Sequence, residues 1–182
     1  MSSISNILNE ALACHRSGNF DAAEKGYRQI LRLDAQHADA LHLLGVTALQ
    51  KNQNNEALKW FAAAIEASEP SALLYSNLGA AYQKLHRIEE AIDAFRMSAR
   101  LSPEFAGVHY NLAMALESVG EFDASIKEYE SAIWINPNYA VARCRLGCLL
   151  SPQGNLSDAL AHPPVVNPPH PRAATTLSPL PQ

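Results

Sequence analysis

The sequence predicts an all-α protein, an α-solenoid built from pairs of antiparallel helices. Six of the eight glycines fall at two positions of a 34-residue period, at intervals of 34, 68 or 102 residues. Small side chains and aromatic rings recur with the same period, and no insertion or deletion interrupts it between residues 4 and 160. Repeats of this length are typical of solenoids, because each unit completes its core only by stacking on its neighbours.

The period divides the chain into four complete repeats and a partial fifth, counted from Ile4, and we number positions 1 to 34 within each repeat. A tail at residues 163–182 holds seven of the eleven prolines and no aromatic or acidic residue. We expect this tail to be disordered, because such a composition cannot build a packed core. The predicted solenoid covers residues 4–162, with repeats at 4–37, 38–71, 72–105 and 106–139 and a partial repeat at 140–162.

Each repeat is predicted to contain two helices. The apolar spacing at residues 72–85 and 88–101 fits two amphipathic helices. Helix-breaking residues recur between them, near position 15 at Gly18 and Gly120, and after them, near position 32 at Pro103. Position 18 is expected to provide the N-cap of the second helix. The residues there are Asp21, Asn55 and Asp123.

Three positions are predicted to form the core of each repeat. Small residues at positions 8 and 20 let the two helices approach, and an aromatic ring at position 24 fills the space beside them. Position 8 holds Ala11, Gly45, Gly79, Ala113 and Gly147, and position 20 holds Ala23, Ala57, Ala91, Ser125 and Ala159. Position 24 holds Tyr27, Phe61, Phe95 and Tyr129.

The third repeat carries a motif that resembles the tetratricopeptide repeat family. The resemblance implies a right-handed superhelix whose first helices line a concave groove, and it implies that the groove binds segments of other proteins. Because a fold does not define a function, the groove residues have to be considered individually. The motif residues are Tyr75, Leu78, Gly79, Tyr82, Ala91, Phe95 and Pro103.

The resemblance places the groove residues on the first helices. Position 6 is Asn in three repeats, and an amide offers both donors and an acceptor, so asparagines 34 residues apart can hold the backbone of an extended peptide. This pattern is similar to the asparagine ladder of O-linked N-acetylglucosamine transferases, although Leu43 interrupts it. The same asparagines could instead bond within the array. The candidate groove residues are Asn9, Leu43, Val46, Asn77, Tyr110, Asn111, Met114 and Arg145.

An apolar patch occupies the N-terminal part of the same groove. It consists of Leu8, Leu12, Leu43 and Val46. A partner with apolar anchors would suit this patch. Packing between neighbouring first helices would account for it equally well, and the sequence leaves both interpretations open.

Composition argues against several function classes. The formal net charge is −4 and no cluster of basic residues offsets it, which argues against nucleic-acid binding. No apolar run approaches the roughly 18 residues of a membrane span. The odd number of cysteines, three, argues against a disulfide framework and predicts a reducing, cytoplasmic location.

The sequence predicts neither catalysis nor a metal or cofactor. Cys144 and Cys148 share one helix face, but no histidine occupies a neighbouring groove position, so they are expected to be free thiols. The chain contains no phosphate loop, no Gly-x-Ser-x-Gly and no His-Glu-x-x-His.

These observations predict a non-catalytic scaffold that binds a peptide segment of a partner protein in its groove. The alternative is a substrate-recognition module, or a truncated relative, of a glycosyltransferase that contains such repeats. Self-association through the incomplete fifth repeat is a further hypothesis, because solenoids need a polar terminal helix for solubility.

Overall fold

The computed structural model describes residues 3–151, and every regular element in that range is an α-helix. The first helices of the repeats are α1 (Ile4–Arg16), α3 (Ala38–Gln50), α5 (Ala72–Lys84), α7 (Ala106–Ser118) and α9 (Ala140–Leu150). The second helices are α2 (Phe20–Leu33), α4 (Asn54–Ala67), α6 (Ile88–Leu101) and α8 (Phe122–Ile135). The predicted all-α solenoid is therefore confirmed for the described part of the chain.

The helices keep the 34-residue period of the sequence. Each first helix begins 34 residues after the previous one, and the same holds for the second helices. The first helices of the four complete repeats have 13 residues, whereas α9 has 11 and ends at Leu150. Pro152 accounts for this early end, because the residue before a proline is disfavoured in a helix. The second helix expected for the partial repeat and the tail at 163–182 lie outside the described residues.

The turn between the two helices of a repeat has a left-handed backbone at position 15. Gly18 and Gly120 have φ values of 79° and 81° there, and Asn52 and His86 both have 58°. Glycine reaches this conformation without a steric penalty, and asparagine and histidine are among the other residues that adopt it. The helix break that the glycines predict near position 15 is confirmed in all four complete repeats.

The N-caps lie earlier than the sequence pattern suggested. Helix α2 begins at Phe20, and its N-cap is Asn19, whose side chain accepts from the Ala22 N–H at 3.2 Å. Asp21 lies inside the first turn, where a carboxylate favours the positive end of the helix dipole without capping it. The prediction that position 18 caps the second helix is therefore wrong. It fails in the same way for Asn55 and Asp123, which lie inside the first turns of α4 and α8.

An aromatic ring at position 24 lies at the centre of each repeat's core. The rings in all four complete repeats are fully buried, and so are the small residues at position 20. In the third repeat, a Cβ added to Gly79 would lie 2.6 Å from the Phe95 ring, which is closer than packed atoms approach. In the fourth repeat, the buried Ser125 hydroxyl donates to the Ala113 carbonyl at 2.8 Å. The predicted close approach of the two helices around the ring is confirmed.

The helices form two layers. Each helix packs on the one that follows it in the chain, from α1 to α9. Successive first helices also contact each other, α3 with α5 and α5 with α7, whereas successive second helices approach each other less closely. The first helices therefore form the inner layer of the curved array, and the second helices form its outer layer.

Candidate functional site

All eight candidate groove residues lie on first helices and so belong to the inner layer. Asn9 and Arg145 are exposed, and the other six are half-buried. A half-buried side chain is held by its neighbours and still has surface that a ligand can contact. The candidates are Asn9 on α1, Leu43 and Val46 on α3, Asn77 on α5, Tyr110, Asn111 and Met114 on α7, and Arg145 on α9.

The apolar patch at the N-terminal end contributes to the packing of the array. Leu8 and Leu43 pack against the core that the first repeat shares with α3. Val46 packs against the core that the second repeat shares with the third. Each of these side chains keeps part of its surface exposed. The patch therefore joins neighbouring repeats and also presents an apolar surface on the inner layer.

Asn77 is bonded to the preceding repeat. Its Nδ2 lies 2.8 Å from Nε2 of His42, and the His42 ring packs beside Phe61 with 5.9 Å between the ring centroids. Burial lowers the pKa of His42, although nearby Asp39 opposes the shift. A neutral imidazole can accept the bond at Nε2. The Asn77 amide is thus oriented by the array, and its Oδ1 has no partner within residues 3–151.

Asn111 lies 34 residues further along, at the same position of the next repeat. Its half-buried amide makes no hydrogen bond to any other residue of the described range. Partly buried amides normally bond to protein or water, so this group has donors and an acceptor available to a ligand. Asn9, at the equivalent position on α1, is exposed and likewise makes no such bond.

Tyr110 and Met114 belong to an aromatic cluster in the fourth repeat. The Tyr110 ring centroid lies 5.8 Å from that of Tyr129 and 5.2 Å from that of Tyr139. Met114 packs against the same core. The rings adopt the tilted arrangements that their quadrupoles favour. This cluster gives the C-terminal part of the inner layer a half-buried apolar surface.

Arg145 is tied to this cluster through Glu117, a residue that the sequence pattern did not single out. Glu117 Oε2 accepts from the Tyr129 hydroxyl at 2.7 Å, and Oε1 lies 3.4 Å from Nη1 of Arg145. Burial raises the pKa of Tyr129 strongly, and the Glu117 carboxylate adds to the shift. Glu117 in turn raises the pKa of Arg145.

Sequence reasoning missed both residues that orient the candidates, His42 and Glu117. A weak signal existed, because both lie on first helices. His42 lies 35 residues before Asn77, and Glu117 lies 28 residues before Arg145. Their partners, however, are set by how neighbouring repeats stack, which the spacing along one helix does not show.

The described residues contain no group of three or more histidine, cysteine or acidic side chains that could hold a metal ion. Cys144 and Cys148 are half-buried free thiols. Within residues 3–151, no helix combines the length and apolar character needed to cross a membrane.

Stacked helix pairs of constant length, with an inner layer of half-buried polar and apolar residues, define a helical-repeat scaffold. Family models for the tetratricopeptide repeat match residues 8–72, 72–105 and 106–139. These matches are consecutive and together span most of the chain. The chain belongs to the tetratricopeptide repeat family, and the predicted family resemblance is confirmed at that level.

Solved structures share this fold. The crystal structure of MamA is 27% identical with a TM-score of 0.75, and the match covers 83% of this chain and 88% of that one. YrrB, a TPR protein with an unusual peptide-binding site, is 22% identical with a TM-score of 0.71, covering 85% and 80%. The APC/C hetero-tetramer Cut9-Hcn1 is 25% identical with a TM-score of 0.76, covering 82% of this chain and 30% of that one.

The comparison with curated proteins finds no match. At its level of identity, the likeness to YrrB shows the fold alone. The finer resemblance to the asparagine ladder of O-linked N-acetylglucosamine transferases stays a prediction.

Proposed function

We propose that this protein is a non-catalytic scaffold that binds an extended segment of a partner protein along its inner layer. The observation that carries the proposal is the pair of asparagines on α5 and α7. Asn77 is oriented by His42 with its Oδ1 unbonded, and the half-buried Asn111 amide has no partner among the described residues. Two available amides one repeat apart are suited to bonding the backbone of one peptide.

The chemistry of the inner layer favours a peptide over a small molecule. An amide side chain accepts from a peptide N–H and donates to a peptide C=O, so it binds backbone whatever the side chains are. On either side of the asparagines, Leu43 and Met114 offer apolar contact for alternate side chains. Arg145 adds a cation at the C-terminal end, where Glu117 neutralises part of its charge.

The fold neighbours support a binding role. YrrB, which shares this fold, is described as having an unusual peptide-binding site. We extend to this chain only the class of ligand, a peptide segment. We also propose a cytoplasmic protein without a cofactor. Self-association through the partial repeat, which extends beyond residue 151, stays a prediction that light scattering on the full chain would test.

The proposal is tested with a peptide library displayed against the full chain, followed by affinity measurements on a selected peptide. We expect Asn77→Ala with Asn111→Ala to weaken binding about tenfold or more, because two hydrogen bonds in a partly desolvated groove are lost. Gln29→Ala is the matched control, since it removes an exposed amide from the second helix α2.

Two further measurements separate groove binding from loss of structure. Circular dichroism should show unchanged helicity in the double variant. His42→Ala should weaken binding less than Asn77→Ala, because it releases the orientation of the amide without removing it. Selected peptides that bind the double variant as tightly as the parent chain would contradict the proposal.

A further inference from the structure

A small cleft opens on the outer layer between α2 and α4. Its volume is about 320 Å³, and its lining consists of Arg28, Leu31, Arg32 and Trp60. We call it the α2–α4 cleft. It lies on the second helices and shares no residue with the groove of the inner layer. The cleft combines two guanidinium groups with an indole and an aliphatic side chain. This combination suits an anionic group that has an apolar group beside it.

The two arginines of the cleft have very different internal partners. The Arg28 guanidinium carbon lies 5.1 Å from the centre of the Trp60 ring, and its Nε donates to Glu24 at 2.9 Å. Stacking on the ring fixes the plane of this guanidinium. Arg32 makes no ion pair or hydrogen bond within the described residues. The cleft therefore contains one oriented cation and one cation without a counter-charge.

The charges around the cleft leave a positive excess. Glu24 is the nearest carboxylate, and its other oxygen bonds Lys51 Nζ at 2.9 Å, while Lys51 also bonds Asp21 at 2.7 Å. These two carboxylates balance Arg28 and Lys51, so Arg32 remains as the surplus cation. Helix α2 carries three basic and two acidic side chains. Of the four second helices that the structure describes, α2 is the one with a net positive charge. In a chain of net charge −4, this local excess favours an anionic partner.

A second cleft, between α6 and α8, provides an internal comparison. Its arginines, Arg96 and Arg100, occupy the same repeat positions as those of the α2–α4 cleft, 68 residues later. This cleft is larger, about 810 Å³, but Asp93 and Glu128 also line it. Glu128 occupies the repeat position that Trp60 has in the second repeat. The α6–α8 cleft thus supplies its own carboxylates and lacks the stacking ring.

We propose that the α2–α4 cleft binds an acidic peptide segment, in which a Glu or Asp carboxylate pairs with Arg28 and Arg32 and a neighbouring apolar side chain contacts Leu31 and Trp60. A guanidinium presents a planar pair of donors that matches a carboxylate, and the ring adds apolar contact. The segment occupies the outer layer, so the scaffold can hold it while a different peptide lies in the groove.

The chain offers its own reporter for this site. It has two tryptophans, Trp60 in the cleft and Trp134 on α8, so Trp134→Phe leaves Trp60 as the sole tryptophan, which can be excited selectively over the six tyrosines. The probe is an N-acetylated, C-amidated peptide of alternating Glu and Leu. We expect a saturable change in Trp60 emission on titration, with a dissociation constant that rises as salt is added.

The decisive variant is Arg28→Gln with Arg32→Gln, for which we expect a loss of affinity of about tenfold or more. Its matched control is Arg96→Gln with Arg100→Gln, expected to stay within about twofold. Isothermal calorimetry repeats both measurements without relying on the indole, and circular dichroism verifies helicity. Asn111→Ala should leave this titration unchanged, which separates the cleft from the groove.

Three results would overturn the proposal. The first is the absence of any saturable signal by either method. The second is an equal loss of affinity in the two arginine pairs, which would indicate attraction to charge in general. The third is equally tight binding of a thymidine oligonucleotide of the same charge, which would indicate a nucleic-acid surface in place of a peptide site.

Discussion

The two terminal complete repeats, one and four, and the two central repeats, two and three, build the same helix pair with different residues. Repeats one and four have alanine at position 8, glycine in the turn at position 15 and tyrosine at position 24. Repeats two and three have glycine at position 8, a non-glycine residue in that turn and phenylalanine at position 24. The terminal repeats have Ala11, Gly18 and Tyr27 in repeat one and Ala113, Gly120 and Tyr129 in repeat four. The central repeats have Gly45, Asn52 and Phe61 in repeat two and Gly79, His86 and Phe95 in repeat three.

Glycine occupies a different position in the two pairs of repeats, and the physical reason differs. In repeats two and three, a Cβ at position 8 would overlap the position-24 ring, so glycine lies beneath that ring. The turn at position 15 holds asparagine or histidine in these two repeats. In the terminal repeats, glycine adopts the left-handed backbone of the turn without strain, and the buried tyrosine hydroxyl needs a hydrogen-bond partner. Tyr129 has one in Glu117, whereas the buried Tyr27 hydroxyl has none among the described residues. The two solutions therefore have different weak points.

The largest expected effect tests the contact between glycine and the ring. Gly79→Ala should destabilise the array by about 1–3 kcal/mol, because the new methyl group would overlap the Phe95 ring. Urea unfolding followed by circular dichroism measures the change. The matched variant in the fourth repeat is Ala113→Gly, which should cost about 1–2 kcal/mol through helix propensity and the loss of one buried methyl group. If Gly79→Ala were as stable as the parent chain, the two helices could move apart at this contact without a cost in free energy.

A second comparison concerns the two tyrosine hydroxyls. Tyr129→Phe should cost about 1–2 kcal/mol, because it removes a bond to a carboxylate and leaves Glu117 Oε2 without that donor. Tyr27→Phe should be neutral or stabilising by up to about 1 kcal/mol, because it removes a buried hydroxyl with no described partner. The same urea unfolding curves decide the matter. Equal losses in both variants would mean that Tyr27 also has a bonding partner.

The turns provide a smaller effect of the opposite sign. His86→Gly should stabilise the third repeat by about 0.5–1 kcal/mol, since histidine there has φ of 58° and glycine adopts that region freely. Gly120→Ala in the fourth repeat should destabilise by a similar amount, because φ there is 81° and no contact restricts the space for a methyl group. Thermal unfolding of both variants tests the pair. Destabilisation by His86→Gly would assign the histidine a role beyond the turn.

The smallest effect is a pH dependence with opposite signs in the second and fourth repeats. His109 Nδ1 lies 2.7 Å from Glu128 Oε2, and Nε2 lies 3.0 Å from the Pro103 carbonyl. Burial alone would lower its pKa, but these acceptors outweigh burial and raise it. Its contribution to stability is therefore present below the unfolded pKa of about 6.5 and is lost as the pH rises through the folded pKa.

His42 behaves in the opposite way, because burial lowers its pKa. Its contribution is present above about pH 6.5 and is lost as the pH falls through the folded pKa. In His42→Gln, His109 remains, so the free energy of unfolding should decline as the pH rises above 6.5. In His109→Gln, His42 remains, so the free energy of unfolding should decline as the pH falls below 6.5. Parallel pH profiles in the two variants would contradict these assignments.

Much of the fold could be predicted from the sequence, because the repeat makes each observation several times over. The spacing of the glycines and aromatic rings located the helix pairs and the core. The caps were misplaced because aspartate favours both the N-cap and the first turn, and at Asp21 the structure uses the second role. The short α9 could be anticipated from Pro152, because proline acts through local geometry alone.

The candidate site was less predictable. The sequence placed Asn77 and Asn111 on first helices, but it could not show that His42 orients one amide while the other has no described partner. That difference depends on side chains of neighbouring repeats. The same limit explains why the α2–α4 cleft was missed. Arg28 and Trp60 belong to different repeats, and only their stacking brings the guanidinium over the ring.

The order of packing, in which each helix contacts the next one in the chain, has a mechanical consequence. Because the contacts that hold a helix pair are local, the pair can detach without disturbing repeats further along. Pulled by its two ends, such an array should lengthen in discrete steps of similar size, one for each repeat that unravels. An optical-trap trace of this chain should show a series of extension steps of similar size. A bound partner that spans two repeats should merge two of these steps into one.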